Sequence, residues 1–277
     1  MIKLNRPLIP LKLQKEQAVL TATYKTKQTS VWRKDYIIEP LFISSHGKCA
    51  YCENKLNWAK GEEKLIDFEF DETKQINFIP QSEEENNFIH IDHFVARKYD
   101  ADKVVDWYNL LPSCPVCNYK KGHFNVLLYS IINPYDDNPR DFYLFNGSML
   151  EIKANEDSDK SKANKTISVF DLINRYHKQI NPLRCSIDSS LHRLYSDIEE
   201  ALKDNLRGDN SKLNDCINRF TKLLEYGLPT AKYASFTATI ILNHNYFNQL
   251  KKRLTEYDFY SSQLIELEKQ LNHIKYE

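Results

Sequence analysis

Ile91-Asp92-His93, Asn109-Leu110-Leu111, Cys114-Pro115-Val116-Cys117-Asn118 and Lys120-Lys121-Gly122 follow one another in the stretch from Ile91 to Gly122. Upstream, Cys49-Ala50-Tyr51-Cys52 repeats the same cysteine spacing. A CxxC turn lets two thiolates face one tetrahedral ion, and two such turns supply a closed set of four. Cys49, Cys52, Cys114 and Cys117 are therefore expected to hold a structural zinc. Between the two halves of that knuckle, Phe88–Phe94 alternates as a strand does, and Val104–Leu111 is expected to return antiparallel to it, with Asn109 beside His93. A helix should follow from Asn118, with Gly122 a weak point inside it. The unit reads strand, loop, strand, helix, closed on a metal.

Working outward, the 277 residues suffice for one large domain or two small ones. Hydrophobic residues make up 42%, ordinary for a globular chain, while only six glycines argue against a glycine-rich phosphate loop. No apolar run approaches the ~18 residues of a membrane span, and Met1–Pro7 lacks the apolar core of a signal peptide. A cytoplasmic location is the expectation. Cys185 and Cys216 stand alone in helical patterns and read as packing residues. The net charge of zero hides a division. Residues 1–60 carry eleven Lys/Arg against four Asp/Glu, and residues 61–87 carry two against nine. Phosphate binding responds to local charge, so neutrality does not exclude a nucleic-acid substrate, although it argues against a non-specific DNA coat.

Along the chain, Pro7 and Pro10 predict an extended arm over residues 1–10, then a weakly amphipathic helix over Leu11–Lys27. A helix is expected over Ser30–Ile38 with Trp32, Tyr36 and Ile37 inward, and a further short turn from Pro40 to near Gly47. Residues 61–87, with Leu65-Ile66-Asp67-Phe68-Glu69-Phe70 and Glu83-Glu84-Glu85, read as an acidic hairpin-like insertion: a solvated loop, or else a partner-docking or substrate-mimicking flap. Phe142–Phe145 and Met149–Ile152 read as a strand pair turning at Asn146-Gly147, and 153–165 as a polar linker. Asn181-Pro182 predicts a helix start. Leu183, Ile187, Leu191, Leu194, Ile198 and Leu202 then form one stripe; Leu213–Leu224, residues 230–248 and Leu264–Ile274 repeat the pattern, giving a helical bundle.

The polar residues in the central stretch suit phosphodiester hydrolysis, which needs an activated water and charge stabilisation at the scissile phosphate. His93 titrates near neutrality and can act as general base. Asp92 and Asn118 offer the oxygen ligands that Mg²⁺ prefers. The Asn109 amide can fix the loop that aims His93. Lys120, Lys121, Arg97 and Lys98 are candidates for contacts to flanking phosphates. Successive side chains of a strand point to opposite faces, so Asp92 and His93 can bracket one phosphate only if the strand ends or bends there.

Over residues 41–125 this series resembles the zinc-bearing HNH (ββα-metal) endonucleases. The resemblance implies His93 as general base, Asp92 and Asn118 as ligands of one catalytic divalent ion, and Asn109 as the central asparagine; Asn118 stands where many members have histidine. The arm Met1–Pro10, Gly47–Glu53, the strand pair between Asn133 and Gly147, and Lys165-Thr166-Ile167 leading into Asp171–Arg175 are similar to the PtuB family, the HNH component of Septu anti-phage systems and of certain retrons. That implies a PtuA-like ATPase partner and, for a retron, a reverse transcriptase with its msDNA. Ala96 departs from the proline that often follows the histidine, and the acidic insertion is long.

The expectation is an α+β protein: N-terminal arm and helices over 1–46, a ββα-metal HNH domain with a four-cysteine zinc knuckle over 47–152, and a helical bundle over 166–277. The expected activity is metal-dependent cleavage of DNA in phage defence. RNA cleavage and a non-catalytic zinc-stapled binding module are the alternatives.

Overall fold

Pro10 fixes the extended φ from which α1 (Leu11–Lys27) begins, and Gln28 closes the helix in the left-handed region with its N–H on Tyr24 O. The computed structural model describes residues 1–58, 87–146, 149–153, 156–205 and 210–277; most of the acidic insertion and the turn at Gly147 lie outside them. α2 (Asp35–Ser44) starts later than expected and runs through Pro40. Backbone hydrogen bonds from Val31, Arg33 and Lys34 to the residues just before them hold 29–34 in turns. Pro40 lacks the N–H that would reach Tyr36 O, a modest loss in a helix whose Ile37, Ile38 and Leu41 are buried.

The first of two compact units spans Asn5–Leu128. Its hairpin pairs β1 (His90–His93) with β2 (Leu110–Ser113) antiparallel, His93 opposite Leu110 and Asp92 opposite Leu111. A short 3-10 turn over Trp107–Asn109 takes the first part of the expected returning strand. α3 (Pro115–Lys121) packs on β1. It ends at Gly122 rather than running through it. Gly122 sits at φ +45°, a conformation that side chains resist.

The second unit joins Met1–Leu4 to Tyr129–Glu277, so the strand pair β3 (Tyr143–Phe145) and β4 (Leu150–Ile152) lies with the helices and not with the knuckle. The polar stretch after it is largely helix: α4 (Asp157–Phe170) has Asp157 and Asp159 in its first turn, where the dipole favours them, and buries Ala163, Thr166 and Phe170. α5 (Leu172–Asn205) passes through Pro182 instead of starting there. Leu172, Tyr176 and Ile180 continue the buried stripe of Ile187, Leu191, Leu194, Ile198 and Leu202 in phase, and Pro182 lies on the exposed side.

α5 packs against α6 (Ser211–Glu225), α7 (Ala234–Leu242) and α8 (Asn245–Glu256), and α9 (Ser262–Ile274) closes on α6 and α7. Gly227 allows that closure, because a Cβ there would lie 2.8 Å from the Leu271 side chain. Phe236 sits among the rings of Phe145, Tyr176 and Tyr276 at centroid distances of 5.0, 4.4 and 5.3 Å. The fold is α+β, and among the described residues it is helix-rich with two small two-stranded sheets. Among the described residues no helix is long and apolar enough to cross a membrane.

Candidate functional site

The knuckle forms from backbone hydrogen bonds around a tight turn. Cys49 N donates to Asn54 O at 2.8 Å, Glu53 N to Cys49 O at 3.0 Å and Leu56 N to Gly47 O at 2.9 Å. Ala50 N reaches Pro112 O at 2.9 Å and so ties this loop to β2. The other half is the start of α3. Cys114 is its N-cap, and its Sγ accepts from Cys117 N at 3.4 Å. The helix N-terminus favours negative charge on that sulfur.

All four thiols are buried, and their sulfur atoms lie within 4.8 Å of one another, Cys52 and Cys114 at 3.7 Å. Tetrahedral zinc with Zn–S bonds of ~2.3 Å spaces its sulfurs about 3.8 Å apart, so the cluster fits a zinc knuckle. Without a cation, burial and the neighbouring cysteines push the Cys117 thiol well above its ordinary range; a bound ion removes that penalty by taking the thiolate as ligand. Four buried protein ligands leave no open position, which is the form of a structural site.

Beside it lies a buried ion pair that the sequence did not signal, Lys48 to Glu53 at 3.4 Å. Burial pulls the Lys48 ammonium down, and Glu53 opposes that.

Asn109 holds the loop between the strands. Its Oδ1 accepts from Val95 N at 2.7 Å, and its Nδ2 donates to Val95 O at 3.1 Å and Lys103 O at 3.0 Å. Arg6, from the arm, braces the backbone on either side of Asn109. Its guanidinium donates to the carbonyls of Trp107, Leu110 and Tyr108 at 2.6, 3.1 and 3.3 Å. Trp107 Nε1 donates back to Pro7 O at 2.9 Å.

His93 Nε2 lies 2.8 Å from Val104 O in the same loop. A carbonyl only accepts, so Nε2 carries the proton and Nδ1 keeps its lone pair. Burial, then the Arg97 charge, pulls this imidazole down to about 3. The ring meets Trp32 edge-on at 4.7 Å, and the Arg97 guanidinium lies 4.2 Å over that indole. Arg97 is therefore committed to aromatic stacking, while Lys98 is exposed.

Asp92 takes the opposite face of β1. Its Oδ2 accepts from Tyr51 OH at 2.6 Å and its Oδ1 from Lys121 Nζ at 2.9 Å; Lys121 Nζ also donates to His93 O at 2.6 Å. Lys121, expected on a flanking phosphate, is thus enclosed; Lys120 is exposed. Asn118 shares the Lys121 face of α3, but its amide Nδ2 lies 3.1 Å from His90 Nδ1. The structure brings Asp92 and Asn118 to one side of β1 and puts His93 on the other. His90, two residues before Asp92, lies on the Asp92 face, which period-2 alternation makes legible in the sequence. Burial, then Arg33, pulls His90 down to about 4. Lys121 was legible too, since positions i and i+3 of a helix share a side. Tyr51 carried no signal beyond its place in the knuckle.

The chain is similar to the Septu protein PtuB of Bacillus thuringiensis. The two are 28% identical over 254 residues, which covers 91% of this chain and 86% of that protein. The likeness therefore extends beyond the knuckle unit into the helical one. No family model matches the chain, and no solved structure matches it.

Proposed function

We propose that this protein is an HNH-type endonuclease that cleaves DNA in anti-phage defence of the Septu kind, with a PtuA-like ATPase as partner. The observation that carries the reading is the Asn109 hydrogen-bond set, which pins the loop of a ββα unit built on a four-cysteine knuckle. The likeness to PtuB supports the defence role.

In hydrolysis a water oxygen bonds to phosphorus, the bond to one ester oxygen breaks, and the water proton must go to a base. Nδ1 of His93 is the base, since Nε2 is committed to Val104 O. In this closed form burial and then the Arg97 charge hold the imidazole at about 3, too weak a proton acceptor at pH 7, so the ring acts as a base only once it is opened to water. His93 is buried and Trp32 meets its ring edge-on, so a substrate reaches it only when that packing shifts.

Asp92 and Asn118 are the residues that would hold a hard divalent cation, and a carboxylate with an amide suits such an ion. As they stand they do not fit one: both Asp92 oxygens are engaged and the Asn118 amide faces His90. Both residues lie on the side of β1 away from His93, so an ion there and the His93 base meet one phosphate only if the end of β1 bends.

The test is incubation of the purified full chain, with and without the ATPase, with plasmid DNA and with total RNA in Mg²⁺. Cleavage of DNA supports the proposal, cleavage of RNA alone moves the substrate class, and cleavage of neither leaves a binding module.

A further inference from the structure

We infer that Lys121 is a built-in counter-cation that keeps Asp92 closed to divalent ions, and that the site opens by withdrawal of this ammonium. The inference rests on the endonuclease reading only in taking Asp92 as the carboxylate of a cation site.

The Lys121 side chain is fully buried and that of Asp92 nearly so, at 0% and 4% exposure. A buried ionised carboxylate needs a compensating charge and hydrogen bonds. Here Lys121 supplies the charge at 2.9 Å, and Tyr51 OH fills the second oxygen at 2.6 Å. Lys121 Nζ is also bonded to His93 O at 2.6 Å, so one ammonium clamps two consecutive residues of β1. A divalent ion on Asp92 would need the same oxygen and would bring a like charge beside Nζ, so the two cations are alternatives.

The other hard ligand is close at hand. Asn118 lies three residues before Lys121 on the same side of α3, half-buried, with its amide on His90. Turning that amide over presents Oδ1 in place of Nδ2. Lys121 is the last residue of α3, and Gly122 beyond it ends the helix at φ +45°. A four-carbon stem at a helix end can swing out without moving β1. By linkage, whatever draws Lys121 away raises ion affinity by the same factor by which the ion favours its withdrawal.

The experiment uses the zinc-loaded full chain and Mn²⁺ as the probe. Binding is followed by electron paramagnetic resonance and by the thermal midpoint in wild type, Lys121→Met and Lys121→Gln. Either variant should bind one Mn²⁺ at least tenfold more tightly than wild type, with a midpoint that rises on Mn²⁺ addition. Adding Asp92→Asn to the same variant should abolish both effects. If a variant folds only with Mn²⁺ present, the ion has replaced the ammonium, which supports the inference.

Folded, zinc-loaded variants that bind Mn²⁺ no more tightly than wild type would overturn it. So would binding that survives Asp92→Asn, or variants that fold neither with nor without Mn²⁺. Because the readout is binding, absence of nucleic-acid cleavage by wild type would count against the endonuclease reading alone.

Discussion

His93 and His90 are neutral in the folded protein at pH 7, with values drawn down to about 3 and about 4 by burial first and by Arg97 and Arg33 next. The unfolded chain titrates near the ordinary 6.5 and so binds protons that the folded chain refuses. Above that value both states are neutral and the effect vanishes. Below it stability falls with pH, by at most ~1.4 kcal/mol per pH unit for each histidine, until the folded value is reached. Urea midpoints of zinc-saturated protein should therefore drop from pH 6.5 to pH 5, and the drop should be shallower in His93→Gln. Equal slopes in the two proteins would show that the buried imidazole does not refuse the proton.

At this scale the cysteines and Asn109 were legible from residue type and spacing. The Asp92–His93 pair was legible only in part. The bend that would let both face one phosphate does not occur, because β1 stays extended through His93, and the two side chains diverge.

The knuckle and the Arg6 strap are properties of elements. Structural zinc contributes about 10–16 kcal/mol in apparent binding free energy, against ~5–15 kcal/mol for a whole domain. Cys114→Ser should therefore yield protein that is insoluble or lacks stoichiometric zinc by metal analysis; soluble, well-folded, zinc-free protein would refute the knuckle. Arg6→Ala removes three donors from carbonyls that flank Asn109. Hydrogen exchange should quicken at the amides of Val95 and the residues after it, with zinc content unchanged. Unaltered exchange there would mean that Asn109 holds the loop without the arm.

Element types were read well from periodicity, and boundaries less well. Pro182 and Pro40 read as helix starts, yet each lies inside a helix whose buried stripe continues in phase across it, and packing outweighs one lost hydrogen bond. The stretch 157–165 read as linker because its composition is polar. Ala163 is the buried residue within it, and with Thr166 and Phe170 just beyond it suffices to seat α4.

Across the whole molecule, the described chain falls into two units, and the helical one has its own core. Phe236→Ala removes a ring that touches three others, and substitutions of this kind cost roughly 3–5 kcal/mol. The loss should appear in the unfolding of the helical unit while one zinc per chain is retained; simultaneous loss of zinc would show that the two units fold as one.

The central claim is that His93 activates water in a phosphodiester cleavage. The most direct measurement is the initial rate of plasmid cleavage in Mg²⁺ by wild type and His93→Ala, both with the proposed PtuA-like ATPase and both with zinc content verified. A positioned base contributes about 10²–10⁴-fold, so the variant should lose at least two orders of magnitude while keeping its zinc. Equal rates in the two proteins would contradict the account.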